Sequence, residues 1–269
     1  MFKKNVNLKH ISVSPWRKLA MGTWRNAKDP SVYGSMDIEA QGIMDCIESY
    51  KAKGIRLTPT AVVAKAIAVA MKEVPSINCI IRFGRFYQRE KIDIFLQVAA
   101  DQDGEDLSGM VIRDCDNKPL ESIATEIKAK AQKIRDKEEK EYSEGKKNMK
   151  LLPGIFLPFL IDFLGFVLYS LNIWTPLLGA PRDGFGSAMV TSVGMLGLDG
   201  GFPPLVPYSR CPILVALGRI QQKPVVNDDG EIVAKLMVPF SVTFDHRLLD
   251  GVGAAKLMKA LLKYLKDPY

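Results

Sequence analysis

Histidine is almost absent from this chain: His10 and His246 are the two in 269 residues. The four cysteines, Cys46, Cys79, Cys115 and Cys211, are widely scattered, and no Cys-x-x-Cys pair or Cys/His cluster occurs. That spacing excludes the usual sequence pattern of a zinc site, and no metal is expected. It is the pattern of reduced thiols in a cytoplasmic protein. The opening residues, MFKKNVNLKHISVS, have no apolar core of the kind a secretory leader needs. No internal repeat is present. A continuous basic stripe is missing too: the formal net charge is +7, yet Lys and Arg alternate with acids, as in KAKAQKIRDKEEKEYSEGKK. No nucleic acid is therefore expected as a partner. A diluted positive excess suits an anionic small molecule or an acidic protein surface.

What is present reads as helices mixed with strands. Residues 38–53, IEAQGIMDCIESYKAK, carry Ile43, Ile47 and Tyr50 at helical spacing, and Gly54 can end that helix. Thr58 can cap, and Pro59 suits the first position of, a second helix through AVVAKAIAVAMKEV, which Pro75 stops. INCIIRFGRFYQR and KIDIFLQVAAD read as two strands, and MVIRDCDNKPL as a strand and a turn. A charged helix is predicted from Leu120 to about Lys147, with Ile123, Ile127, Ala131 and Ile134 on its core face. GSAMVTSVGML, CPILVALGRI and AKLMVPFSVTF are three more strand-like runs, and VGAAKLMKALLKYLKDP is a closing amphipathic helix. Helices and strands do not alternate strictly, so helices layered on a sheet are expected.

Residues 151–180, LLPGIFLPFLIDFLGFVLYSLNIWTPLLGA, stand apart. Asp162 is their one formal charge. The run exceeds the ~18 apolar residues that raise a membrane-span question. Pro153, Pro158 and Pro176 interrupt it, and an unpaired Asp at a bilayer centre costs about 2.5–3.5 kcal/mol.

The segment FDHRLLDG, residues 244–251, ends a strand on His246 and places Asp250 four residues later. A histidine there can project into a cleft and move a proton near neutral pH. A lone histidine is also a common structural residue. Asp250 can hold His246, cap the helix that starts near Gly251, or pair with an arginine. Thr191 and Ser192, in SAMVTSVG, put hydroxyls in an apolar strand. Such a hydroxyl can donate to an oxyanion or simply bond to backbone.

FDHRLLDGVGAAKLMKALLKYLKDP resembles the His-x-x-x-Asp-Gly signature of the dihydrolipoamide acyltransferases, the E2 components of 2-oxoacid dehydrogenase complexes. Chloramphenicol acetyltransferase shares that motif and fold. WRKLAMGTWRNAKDPSVYGSMDI, LTPTAVVAKAIAVAMKEVPSINC, MVIRDCDNKPLESIATEI, MVTSVGMLG and PILVALGR resemble successive parts of the same catalytic domain, in order, over most of residues 14–269. The resemblance implies one domain, 1–269, with an α/β (α+β) two-layer sandwich of the chloramphenicol acetyltransferase type: a mixed sheet with helices packed on one side. It implies coenzyme A or acyl-coenzyme A as substrate and acyl transfer to a dihydrolipoyl-type thiol. His246 matches the general base. Thr191 matches the oxyanion-binding serine, with a methyl added. Asp250 matches an aspartate that salt-bridges an arginine near the domain's start, for which Arg17 is the candidate. A homotrimer is implied, able to assemble further, with the active site shared between subunits.

Two departures accompany the likeness. No lipoyl or peripheral-subunit-binding domain and no lipoyl attachment are expected on this chain, so the acceptor is a free thiol or a lipoyl domain on another chain of a complex. The apolar stretch at about 151–180 reads as an insertion. It can pack against another subunit, attach to a membrane surface, or line an acyl pocket; GKKNMK beside it favours anionic lipid. A single crossing is excluded, because 92–113 and 187–246 must contribute to one domain. Two other functions stay open: a non-catalytic E2-like scaffold, and transfer to a small-molecule hydroxyl or amine.

Overall fold

The computed structural model describes residues 3–15, 17–19, 29–99, 107–136 and 154–268. In chain order the strands are β1 (Lys3–Lys4), β2 (Leu8–His10), β3 (Ser31–Glu39), β4 (Cys79–Arg82), β5 (Arg85–Arg89), β6 (Ile94–Ala99), β7 (Leu107–Ile112), β8 (Ile173–Trp174), β9 (Ala188–Ser192), β10 (Ile213–Leu217), β11 (Gln221–Val226) and β12 (Ile232–Asp245). The helices are α1 (Gln41–Ala52), α2 (Pro59–Glu73), α3 (Leu120–Arg135), α4 (Leu157–Gly165) and α5 (Gly251–Lys266). A seven-stranded mixed sheet runs β7-β6-β9-β10-β12, with β3 on the far side of β12 and β11 paired to its first half. β6, β9 and β10 are parallel; the other pairs are antiparallel.

Helices cover one face. Ile94, Leu96, Val190, Val215, Phe240 and Val242 point to α1, α2, α3 and α5 and share one core with them. α2 lies at its centre. Thr58 Oγ1 accepts from Ala61 N at 3.3 Å, Pro59 occupies the first turn, and nine of its residues from Ala61 to Met71 are buried. Its alanines let neighbours approach closely. Each fully buried Val, Ile or Met contributes about 1.5–3 kcal/mol. α1 meets α5 where Gly42 leaves no room for a side chain: a Cβ there would lie 2.5 Å from the Leu265 carbonyl. Alternate residues Phe95, Val111, Met189 and Leu214 form a smaller cluster on the opposite face, under Phe185, Leu205 and Val206.

The helix expected over 38–53 begins at Gln41, because Ile38 belongs to β3, opposite Val238. β3 was not visible as a strand: its exposed, Gly34-containing sequence carries little alternation, and pairing with β12 makes it. INCIIRFGRFYQR is a hairpin, β4-β5, turning at Phe83 and Gly84 with φ of 47° and 73°. CPILVALGRI ends as a strand at Leu217, and β11 follows it. The charged helix is seen through Arg135; its expected continuation to 147, and the basic run 145–150, lie outside the described residues.

The apolar stretch folds as a short 3-10 turn, α4, a π-turn over Phe166–Ser170 and β8. β8 pairs with β1, and Asn172 clasps Val6 with two 2.7 Å hydrogen bonds, so this stretch is tied to the chain's start. β6 and β9, which flank it in sequence, are neighbours in the sheet. Among the described residues no helix is long and apolar enough to cross a membrane. Leu168 and Tyr169 are buried, but Ile155, Phe159 and Leu177 are 82%, 83% and 93% exposed.

Candidate active site

β12 ends on a turn that is fastened at every step. The Asp245 amide donates to the Pro212 carbonyl at 2.9 Å, and the His246 amide to the Pro30 carbonyl at 3.0 Å. The Asp245 carboxylate takes Arg247 in a fork, Nε at 3.0 Å and Nη2 at 2.7 Å, and also accepts the Arg247 amide at 2.9 Å. Leu248 and Leu249 are buried and their amides return to the Asp245 carbonyl. The turn thus has an apolar anchor and a charged clasp.

His246 is half-buried, with its ring edge-on to Phe244 at 6.3 Å between centroids. Its Nδ1 lies 2.9 Å from the Leu249 carbonyl oxygen. A carbonyl only accepts, so Nδ1 carries the proton in the neutral ring. Nε2 is then the basic nitrogen, held in one tautomer and orientation. A backbone oxygen takes the place that a carboxylate holds in a Ser-His-Asp triad.

Asp250 is engaged elsewhere. Its Oδ1 accepts the Gly253 amide at 2.8 Å and caps α5. Its Oδ2 meets Arg17 Nη2 at 3.2 Å. Arg17 and Asp250 are therefore together, and their pair closes the far end of the turn that begins at Asp245.

Thr191 is not with them. It is the penultimate residue of β9, half-buried, opposite Ala216 of β10, which is opposite Ser241 of β12. Strand alternation puts Thr191 on the face away from the helices, with Met189. Ser241 precedes His246 by five residues, roughly 17 Å along a strand, and two strand spacings add about 10 Å sideways. His246 and Thr191 of one chain are thus on the order of 20 Å apart, too far to serve one reacting carbon.

The Leu249 carbonyl and the Asp245–Arg247 fork were not found from sequence. The fork had a signal, an acid and a base two residues apart in Asp-His-Arg. The carbonyl had none, since any residue provides one. Among the described residues no cluster of His, Cys, Asp or Glu is suited to a metal.

Comparisons with known proteins agree with this architecture. The family described as 2-oxoacid dehydrogenases acyltransferase (catalytic domain) matches residues 6–146 and 183–269, leaving the whole apolar stretch 151–180 in the unmatched gap. The acetyltransferase component of the pyruvate dehydrogenase complex of Bacillus subtilis is 29% identical over 216 residues, 80% of this chain and 39% of that relative. The chain thus spans well under two thirds of that protein's length. The cubic core of the pyruvate dehydrogenase multienzyme complex superposes with a TM-score of 0.64 at 21% identity, covering 97% of this chain and 93% of that one. Chloramphenicol acetyltransferase superposes with a TM-score of 0.54 at 14% identity, covering 97% and 100%. At these identities the structures establish the fold.

Proposed function

The chain belongs to the family of 2-oxoacid dehydrogenase acyltransferase catalytic domains, and from that premise we propose that it moves an acyl group between coenzyme A and a dihydrolipoyl-type thiol. The carrying observation is the Nδ1 contact to the Leu249 carbonyl, which leaves Nε2 as the base. Nε2 takes the proton of the attacking thiol, and the sulfur adds to the thioester carbonyl carbon. The carbon–oxygen π pair moves to oxygen, where the Thr191 hydroxyl donates a hydrogen bond. The tetrahedral centre then expels the second sulfur, which recovers the proton from Nε2. Arg17 and Asp250 are positioning residues: they fix the turn that presents His246.

The separation of roughly 20 Å along and across the strands supports a shared site, with His246 from one copy and Thr191 from the next. A homotrimer is the assembly we infer, able to build further as in the cubic core. The span 1–269 is read as one catalytic-type domain with an insertion at about 151–180, supported by the gap in the family match. The acyl acceptor is a dihydrolipoyl thiol, free or carried on a lipoyl domain.

The test is transfer from acetyl-coenzyme A to dihydrolipoamide by the purified oligomer. His246→Ala is expected to lower kcat about 10²-fold or more without changing the melting temperature. Undiminished turnover in that variant removes the base assignment. Inactivity of the wild type with every acyl donor, and no coenzyme A binding, favours the scaffold.

A further inference from the structure

We propose a second site: the polar cavity between the chain's start, β5 and the residues before β9 binds hydrogen phosphate, free or as the end of a phosphate monoester. The cavity measures about 400 Å³ and is lined by Asn5, Arg89, Lys91, Arg113, Arg182 and Asp183, among others. That volume is within the ~300–1,000 Å³ of small-molecule sites.

Arg89 is the anchor. Its side chain is 2% exposed. Nε donates to Asp183 Oδ2 at a long 3.4 Å, while Nη1 and Nη2 are buried with no hydrogen-bond partner. Asn5 Nδ2 is a further buried donor without a partner, and Asn5 itself is 1% exposed. Leaving such a charged donor unmet costs more than leaving a neutral one. A guanidinium with both terminal nitrogens available presents the planar fork that suits a phosphate.

The cavity is not uniformly basic, and that narrows the ligand. Asp183 Oδ1 is buried and also unpartnered. It requires a donor, which a fully ionised oxyanion lacks. Hydrogen phosphate offers oxygens to Arg89 and Asn5 and a P–OH to Asp183 at once. The nearby cations are already oriented. Arg113 reaches Asp93 at 2.8 Å and the Asp183 carbonyl at 3.0 Å, and Arg182 donates to the Asn5 carbonyl at 3.0 Å. Gly186, at φ +62°, brings the backbone against Asp93, where a Cβ would lie 2.4 Å from the Asp93 carbonyl, so the wall is preformed. A bare phosphate leaves room for an ester substituent toward exposed Lys91.

Sulfate has the same shape and carries no proton near neutral pH, so it is the discriminating control. Calorimetric titration and melting curves of the full chain near pH 6.5 are expected to show phosphate binding at least about tenfold tighter than sulfate, the loss of one buried hydrogen bond. Arg89→Met is expected to abolish phosphate binding, and Asp183→Asn to erase the preference over sulfate. If Arg89→Met does not fold, Asp183→Asn alone decides. Absence of any phosphate heat or melting shift means that water fills the cavity, and the proposal fails. Equal phosphate and sulfate binding in the wild type overturns it as well. Displacement of phosphate by coenzyme A identifies the monoester as the coenzyme's own; additive binding identifies a separate phosphorylated molecule.

Discussion

Two arginine–aspartate pairs sit toward the same end of the sheet and differ in how completely they are used. Arg17–Asp250 is a 3.2 Å contact whose aspartate also caps α5; it closes the turn carrying His246 and leaves one buried atom, Arg17 Nη1, without a partner. Arg89–Asp183 is deeper, yet joined only through Nε at 3.4 Å, with three side-chain atoms left over. The first pair fixes the turn that presents His246, the proposed base. The second keeps its own valences open. Burial alone therefore does not distinguish a structural pin from a site; the count of unmet donors and acceptors does.

The largest effect expected concerns what the first pair serves. Thr191→Ala should lower kcat by about 10²–10³, as His246→Ala lowers it through the base. Mixed oligomers formed by refolding the two inactive variants together should regain a substantial fraction of activity, because some sites then hold both groups intact. Mixtures no better than the separate variants would show that both groups act within one chain.

Next comes stability. Asp250→Ala removes a helix cap and leaves Arg17 unpaired, and should cost about 2–4 kcal/mol in a denaturant titration. The double variant Arg89→Met, Asp183→Asn removes an under-bonded pair together, and should unfold within about 1 kcal/mol of the wild type without phosphate. A loss as large as that of Asp250→Ala would make Arg89 a structural pin and dissolve the contrast.

The effect that stays smallest near neutral pH is alkaline. Cys79 and Cys211 both lie in the field of Arg89, yet burial outweighs it and pushes each thiol up to about 12 from an ordinary value of 9.0. Burial does the same to Cys115. A raised thiol binds its proton more tightly in the folded chain, so its contribution is complete below the ordinary value and fades as pH climbs toward 12. Denaturant midpoints should hold steady below about pH 9 and fall above it, and thiol reagents should label these cysteines only after unfolding.

Much of this was legible in the sequence where one local rule decided the outcome. Thr58-Pro59 marked α2, the apolar spacing marked α3 and α5, and the ordered family-like segments marked the sheet. Arg17 and Asp250, 233 positions apart by numbering, were paired through the resemblance, since spacing carries no such information. β3 was missed because its partner strand supplies the stability its own residues lack. The cavity at Arg89 was missed for a related reason: it gathers Asn5, Arg89 and Asp183 from three distant stretches, none with a motif. The exposed phenylalanines of the apolar stretch were readable as unusual, but not as surface, because exposure is decided by the neighbours.

On the proposed shared site, the span between His246 and Thr191 also makes catalysis a matter of protein concentration. With half of each proposed site on a neighbouring molecule, diluting the protein below the dissociation constant of its oligomer should silence it while every chain stays folded. Specific activity would then rise with the amount of protein in the assay, and the curve's midpoint would report how tightly the copies hold one another.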